Sequence, residues 1–173
     1  MENVVLIGYM GCGKSSVAAA LSKKSGLPVL DTDEAIAAHM GMSITDIFAR
    51  FGEERFRSEE TELLKRLHGD AFMGILSLGG GTALREENRS LMRRLGRVIW
   101  LTATPDTIAT RLKHDHSRPL LAGAASHEEK AERIRAMLTQ REEAYAAAAE
   151  RQFATDDLDV DGIADSIIRY LSE

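Results

Sequence analysis

A glycine-rich segment near the start of the chain constrains its fold more than any other feature. Residues 8–15, Gly-Tyr-Met-Gly-Cys-Gly-Lys-Ser, match the pattern G-x-x-x-x-G-K-[ST] in full. The apolar run at residues 4–7 predicts a strand before this segment, and residues 14–25 predict a helix after it. Glycines let successive backbone N–H groups surround an anion, to which the helix N-terminus adds its positive dipole end. The segment therefore predicts an α/β domain with a phosphate-binding loop.

The side chains of this loop match the needs of a nucleotide. Lys14 offers a charge to the outer phosphates, and the Ser15 hydroxyl offers a ligand to Mg²⁺. The alternative is a glycine-rich turn with an incidental lysine, but the full motif between a strand and a helix argues against it. A signalling GTPase is also disfavoured, because neither Asn3 nor Asn88 begins the guanine-binding motif N-K-x-D.

Short apolar runs alternate with helical patterns along the rest of the chain. Further strands are predicted at residues 28–30, 75–78, 98–101 and 152–154, and helices at 33–40, 44–51, 53–67, 86–95, 105–113, 126–149 and 163–171. This alternation predicts a parallel sheet with helices on both faces, and ligands at the carboxyl ends of its strands. Residues 114–127 show no periodicity, which favours a surface segment that acts as a lid.

Length and composition limit the classes of protein that fit. The 173 residues predict a single domain over residues 1–173, and an apolar content of 44% suffices for one core. A net charge of −5 argues against broad neutralisation of nucleic-acid phosphates. Cys12 is the only cysteine, which excludes an intrachain disulfide, and no apolar run approaches the roughly 20 residues that span a bilayer. We expect a soluble cytoplasmic protein that binds neither nucleic acid nor membrane.

Two carboxylates and three glycines follow predicted strands. Asp31 and Asp33 are two residues apart, so in a strand both would face one side and could serve phosphoryl transfer. Alternatively, Asp33 only caps the next helix. Residues 79–81 are all glycine and would permit close approach of the backbone to a ligand, or form a plain flexible turn.

Three arginines occur in distinctive contexts. Arg57 follows Phe56, Arg118 precedes Pro-Leu-Leu, and Arg141 lies on the long helix predicted at residues 126–149. Guanidinium groups suit a small anionic substrate and a phosphoryl group in transfer. Taken one at a time, such an arginine is more often a solvated surface charge.

The motifs G-x-x-G-x-G-K-S, D-T-D, F-R, G-G-G and R-P-L-L, in this order and spacing, resemble the shikimate kinase family. The likeness runs from Val4 to the final predicted helix. It implies a three-layer α/β/α fold of the nucleoside monophosphate kinase type with a five-stranded parallel sheet. Residues 32–62 would approximate the shikimate-binding region and residues 112–127 the lid. The implied reaction moves the γ-phosphate of ATP to the 3-hydroxyl of shikimate, giving shikimate 3-phosphate and ADP, in chorismate and aromatic amino acid biosynthesis.

The resemblance also implies a role for each site residue. ATP would bind to Gly11, Cys12, Gly13, Lys14, Ser15, Ser16, Arg111 and Arg118, and Mg²⁺ to Ser15 and, through water, to Asp31. Shikimate would bind to Asp33, Arg57, Gly79, Gly80, Gly81 and Arg141, in a pocket lined or braced by Ile44, Phe48, Phe56 and Glu60. Lys14, Asp33 and Arg118 would be catalytic, with Asp33 as the base or orienting group and Arg118 at the transferring phosphate. Arg111 would stack on adenine, and residues 155–158 would pass near it. The family suggests a monomer whose partners are shikimate and ATP.

Two alternatives to this assignment remain open. Another small-molecule kinase of the same fold, for gluconate or a nucleoside monophosphate, would share the phosphate-binding loop but is not expected to combine the other four motifs. A nucleotide-binding module without catalysis would keep the loop and lose the acceptor-side carboxylate or the lid arginine. Asp33 and Arg118 are both present, which disfavours that module.

Overall fold

The chain folds around a five-stranded sheet in which every pair of neighbouring strands is parallel. A computed structural model describes residues 2–114, 123–124, 126–157 and 159–173. The strands are β1 (Asn3–Ile7), β2 (Val29–Asp31), β3 (Ile75–Ser77), β4 (Gly96–Thr102) and β5 (Arg151–Ala154). Their order across the sheet is β2-β3-β1-β4-β5, so β1 occupies the centre. The predicted parallel sheet is confirmed, and the loop after β1 emerges at the middle of its carboxyl edge.

Helices connect the strands, as the alternating pattern predicts. They are α1 (Lys14–Ser25), α2 (Thr32–Met40), α3 (Ile44–Gly69), α4 (Glu86–Leu95), α5 (Pro105–Arg111), α6 (His127–Ala148) and α7 (Val160–Leu171). The two helices predicted at residues 44–51 and 53–67 meet in α3 at Gly52, whose φ of 83° breaks the helical path. The predicted caps of α5 and α6 are present, because the Thr104 and Ser126 side chains accept bonds from the backbone three residues on.

Apolar side chains alternate between the two faces of the sheet. In β1, Val5 and Ile7 pack toward α2, α3, α4 and α6, whereas Val4 and Leu6 pack toward α1 and α7. All four side chains are at most 3% exposed. Burial on both faces explains why β1 reads as a continuous apolar run, and it confirms the three-layer architecture.

A third, smaller apolar cluster supports the phosphate-binding loop. Tyr9 packs with Ile108 of α5 and Ile134 of α6, and all three are at most 1% exposed. Arg118 and most of the predicted lid lie outside the described residues. Within the described ranges, no helix has the length and apolar character needed to cross a membrane.

Candidate active site

The loop between β1 and α1 has the backbone geometry that its glycines predict. Gly8, Gly11 and Gly13 have φ values of 146°, 74° and 96°, a backbone conformation that residues other than glycine rarely adopt. At Gly8 a Cβ atom would also lie 2.4 Å from the Leu101 carbonyl oxygen. Gly13 is the N-cap of α1 and offers no side chain to bond the first-turn N–H groups. These N–H groups remain available to an anion.

The loop lines a cavity of about 320 Å³, and most of the predicted site residues line it as well. The Lys14 ammonium group lies at this cavity and donates to the carbonyl oxygens of Gly8 at 2.7 Å and Tyr9 at 3.1 Å. The cavity is lined by Met10, Gly11, Gly13, Lys14, Ser15, Ser16, Asp31, Asp33, Ser77, Leu78, Gly79, Gly80, Arg111 and Leu112. Among the described residues, four predicted site residues are not in this lining: Cys12, Arg57, Gly81 and Arg141. Cys12 is only 1% exposed and packs in the apolar cluster that contains Leu6 and Val17.

The structure assigns different positions to Asp31 and Asp33 than a continuous strand would. β2 ends at Asp31 and α2 begins at Thr32, so the alternation of side chains along a strand does not apply to this pair. Asp31 is the helix cap, since its Oδ1 accepts from the N–H groups of Asp33 at 2.9 Å and Glu34 at 3.2 Å. The capping role considered for Asp33 therefore belongs to Asp31. Both residues still line the cavity, because the first turn of α2 directs Asp33 toward Gly79.

The donor groups near the loop suit Mg²⁺. Ser15 and Asp31 line the same cavity and supply a hydroxyl and a carboxylate, which are hard oxygen donors. The described residues hold no group of three or more His, Cys, Asp or Glu side chains that could bind an ion. A small protein ligand set is what Mg²⁺ usually has at phosphate sites, where it keeps waters and binds the substrate phosphates.

The three glycines after β3 admit charged side chains of the protein itself. A Cβ atom on Gly79 would lie 2.6 Å from Asp33 Oδ1, and one on Gly80 would lie 3.2 Å from Arg141 Nη1. On Gly81 it would lie 2.3 Å from both terminal nitrogens of Arg57. The plain flexible turn is thus excluded, since the glycines bring Asp33, Arg57 and Arg141 around one stretch of backbone.

A buried carboxylate fixes the Arg57 guanidinium. Glu60 has a fully buried side chain and accepts from Arg57 Nη1 at 2.8 Å and from Thr82 Oγ1 at 2.6 Å. Burial raises the pKa of Glu60, an effect that the Arg57 charge opposes and the Asp33 charge reinforces. Arg57 also lies over the Phe56 ring at 5.4 Å and bonds Glu53 at 3.3 Å. Its side chain is only 13% exposed, so it is not a solvated surface charge.

Two tyrosines contact Arg141 and Gly80. The Arg141 guanidinium lies over the Tyr9 ring at 5.5 Å, and the Tyr145 hydroxyl donates to the Gly80 carbonyl oxygen at 2.5 Å. Burial raises the pKa of Tyr145 to about 12, so the phenol keeps the proton that it donates. The sequence alone identifies neither tyrosine as a site residue, because their partners lie on other elements of the fold.

Arg111 joins α5 to the loop. Its Nη1 donates to the Gly11 carbonyl oxygen at 3.1 Å and to Thr155 Oγ1 at 3.0 Å, and its Nη2 donates to the Thr155 carbonyl oxygen. Thr155, which the sequence suggested only as part of a segment near adenine, is fully buried. Its position directly after β5, at the carboxyl edge of the sheet, was the available signal.

Comparison with known proteins agrees with the motifs. A family model described as shikimate kinase matches residues 10–172. The curated shikimate kinase of Symbiobacterium thermophilum is 40% identical over 174 residues, covering 99% of this chain and 97% of the relative. That of Enterococcus faecalis is 37% identical over 175 residues, covering 100% of both chains.

Solved structures give the same result. One described as shikimate kinase from Acinetobacter baumannii in complex with shikimate matches with a TM-score of 0.89 at 29% identity, over 99% of this chain and 93% of that one. Shikimate kinase from Bacteroides thetaiotaomicron matches with a TM-score of 0.89 at 26% identity, over 99% of both chains. Sequence and fold agree along almost the whole length, and the chain belongs to the shikimate kinase family.

Proposed function

We propose that this protein transfers the γ-phosphate of ATP to the 3-hydroxyl of shikimate, giving shikimate 3-phosphate and ADP in aromatic amino acid biosynthesis. The observation that carries the proposal is the placement of Asp33 between a phosphate-binding loop and two guanidinium groups. Lys14 and Asp33 line one cavity, and Asp33, Arg57 and Arg141 surround the same three glycines. Membership of the shikimate kinase family supports this choice of acceptor.

The loop side of the cavity would bind the phosphates of ATP. The backbone of Gly11 and Gly13, the Lys14 ammonium and the Ser15 and Ser16 hydroxyls line this side. Lys14 would exchange its bonds to the Gly8 and Tyr9 carbonyl oxygens for bonds to phosphate. Mg²⁺, held by Ser15 and by Asp31 through water, would neutralise charge on the phosphates when bound.

The glycine side would bind the carboxylate of shikimate. Arg57 and Arg141 approach Gly81 and Gly80 from two directions, and each can bond a carboxylate oxygen. The backbone at residues 79–81 would complete this contact. Because Glu60 and the Tyr9 ring already hold the two guanidinium groups, little ordering remains to be done on binding.

Asp33 would orient the 3-hydroxyl and accept its proton. The hydroxyl oxygen attacks the γ-phosphorus, a new O–P bond forms, and the bond from this phosphorus to the β,γ-bridging oxygen breaks to release ADP. Arg118, a predicted catalytic residue outside the described residues, would stabilise charge on the phosphoryl group in transfer. Arg111 would contact adenine from its position between Gly11 and Thr155.

Several finer statements stay predictions. These are a single domain over residues 1–173, a shikimate-binding region near residues 32–62, a monomeric state and a cytoplasmic location. The roles of Cys12, Arg57, Gly81 and Arg141 also stay predictions, since none of the four lines the cavity. We propose that the backbone of Cys12 shapes the loop and that Gly81 makes room for Arg57.

An acceptor panel tests the proposed function. ADP release is measured by a coupled assay with ATP, Mg²⁺ and one of shikimate, gluconate or AMP, and shikimate 3-phosphate is identified by mass. We expect turnover with shikimate only. Faster turnover with gluconate or AMP would assign the chain another acceptor. ATP binding without turnover on any acceptor would favour a nucleotide-binding module.

A further inference from the structure

One buried hydroxyl connects the phosphate-binding loop to the carboxyl edge of the sheet. Thr155 follows β5, is 0% exposed, and has its Oγ1 2.6 Å from the Cys12 carbonyl oxygen. The same Oγ1 lies 3.1 Å from the Thr102 carbonyl oxygen and 3.0 Å from Arg111 Nη1. Groups from β4, α5 and the loop thus meet at a single side chain.

The chemistry of the groups determines which of them donates in each hydrogen bond to or from Thr155 Oγ1. Arg111 carries only donors, so it donates to Thr155 Oγ1. The hydroxyl has one proton and two carbonyl oxygens within reach, and the Cys12 carbonyl oxygen is nearer by half an ångström. The Thr102 carbonyl oxygen already accepts from the Thr155 N–H at 2.8 Å. We therefore place the hydroxyl proton on the bond to the Cys12 carbonyl oxygen.

This bond sets the direction of a loop N–H group. In a trans peptide unit the C=O and N–H bonds point in opposite directions. A Cys12 carbonyl held toward Thr155 accordingly turns the N–H of Gly13 away from Thr155. Gly13 lines the cavity, and its φ of 96° belongs to the left-handed region in which such loops present N–H groups to an anion.

We propose that Thr155 is a positioning residue for the phosphates of the nucleotide, acting through the Cys12 carbonyl. Arg111 assists, since it bonds both Thr155 Oγ1 and the Gly11 carbonyl oxygen. The proposal rests on the proposed function only in that the bound anion is a nucleotide phosphate. It concerns binding, so its test needs no acceptor.

The test compares Thr155→Ser, Thr155→Cys and Thr155→Val. Serine keeps the hydroxyl, cysteine keeps a weak donor, and valine keeps the shape without a donor. Calorimetry gives the dissociation constants of Mg-ADP and of adenosine for each variant. Leaving a buried carbonyl oxygen unpaired should weaken Mg-ADP binding about tenfold in Thr155→Val. Mg-ADP binding should decrease in the order Ser, Cys, Val, and the loss should be larger for Mg-ADP than for adenosine, which has no phosphate.

A matched control removes another buried hydroxyl. Thr61 of α3 is 4% exposed and donates to Asn88 Oδ1 at 2.8 Å, and neither residue lines the cavity. Thr61→Val should lower the melting temperature but leave the Mg-ADP dissociation constant unchanged.

Three outcomes would overturn the proposal: unchanged Mg-ADP binding in Thr155→Val, equal losses for adenosine and Mg-ADP, or an equal loss in Thr61→Val. If Thr155→Val does not fold, Thr155→Cys decides by the same comparison. Failure of shikimate turnover in the acceptor panel would leave this result untouched, so the two proposals fail separately.

Discussion

At the scale of single residues, two neighbouring carboxylates have different surroundings. A Cβ atom on Gly79 would lie 2.6 Å from Asp33 Oδ1 and 3.0 Å from Glu60 Oε1. Arg57 and Thr82 hold Glu60, whose side chain is fully buried, whereas Asp33 lines the cavity. Burial raises the pKa of Glu60, and the nearby Asp33 charge reinforces that effect. Because Arg57 and Thr82 occupy the two oxygens of Glu60, we propose Asp33, which lines the cavity, as the proton acceptor and Glu60 as the group that fixes Arg57.

Asp33→Asn should lower kcat for shikimate by about 10²- to 10⁴-fold, the usual contribution of a general base. The amide keeps the size of the side chain, so the Mg-ADP dissociation constant should stay the same. Steady-state kinetics and calorimetry measure the two quantities. Asp165→Asn is a matched control, since that carboxylate is 56% exposed, pairs with Lys24 and belongs to α7, on the other face of the sheet from α2. Turnover of Asp33→Asn at the rate of the unsubstituted protein would remove Asp33 from its role.

Arg141→Met should raise the KM for shikimate and leave the KM for ATP unchanged. A hydrogen bond to a charged group contributes about 1.5–3 kcal/mol, which corresponds to a roughly 10- to 150-fold rise. Arg135→Met, on the same helix, removes a guanidinium that is 57% exposed and pairs with Glu132 at 2.6 Å, and it should change neither constant. A rise confined to the KM for ATP would mean that the shikimate carboxylate is bound elsewhere.

At the scale of elements, local signals predicted the helices and strands, and long-range contacts determined the site. The helix caps at Thr104 and Ser126 can be predicted from the sequence, because each cap joins residues only three positions apart. The residue at which β2 ends cannot be predicted from such local signals. It depends on pairing with β3, where Asp31 lies opposite Ser77, and the helix that begins there changes the direction of Asp33.

The glycine turn shows the same limit. Its sequence predicts close approach but not the partner, because Arg57 and Arg141 reach it from α3 and α6. The five-stranded sheet, the phosphate-binding loop and most cavity residues were predictable from motifs and periodicity. The contacts of Tyr9, Tyr145 and Thr155 were not, since each pairs with residues on other elements.

Gly81→Ala should selectively weaken shikimate binding. The new methyl group would lie 2.3 Å from the Arg57 terminal nitrogens, and the flexible end of that side chain must move. We expect the KM for shikimate to rise about tenfold, as for one displaced charged hydrogen bond, with little change in melting temperature. Gly69→Ala is the control, because a Cβ atom there would meet nothing within 4 Å. An unchanged KM for shikimate would show that Arg57 does not need its present position.

At the scale of the whole molecule, the two edges of the sheet have separate tasks. The carboxyl edge carries the cavity, the loop and the glycine turn. At the amino edge, Asn3 is 6% exposed, and its Nδ2 donates to the carbonyl oxygens of Phe72 at 2.7 Å and Leu95 at 2.8 Å. Its Oδ1 accepts from the Gly74 N–H at 2.7 Å. One side chain thus joins the segments that lead into β1, β3 and β4, and none of its partners lines the cavity.

Asn3→Ala should therefore lower stability without changing catalysis. Three backbone groups lose their partner, and we expect the free energy of unfolding to fall by about 2–4 kcal/mol. For a chain of this size that corresponds to a fall in melting temperature of roughly 4–16 °C. Urea unfolding measures the first quantity, and kinetics well below the melting temperature should give the kcat and both KM values of the unsubstituted protein. Glu2→Ala, an exposed neighbour, should change stability by less than about 0.5 kcal/mol. A lower kcat in Asn3→Ala at a temperature where it is fully folded would mean that the amino edge also shapes the site, and the separation of tasks between the two edges would be wrong.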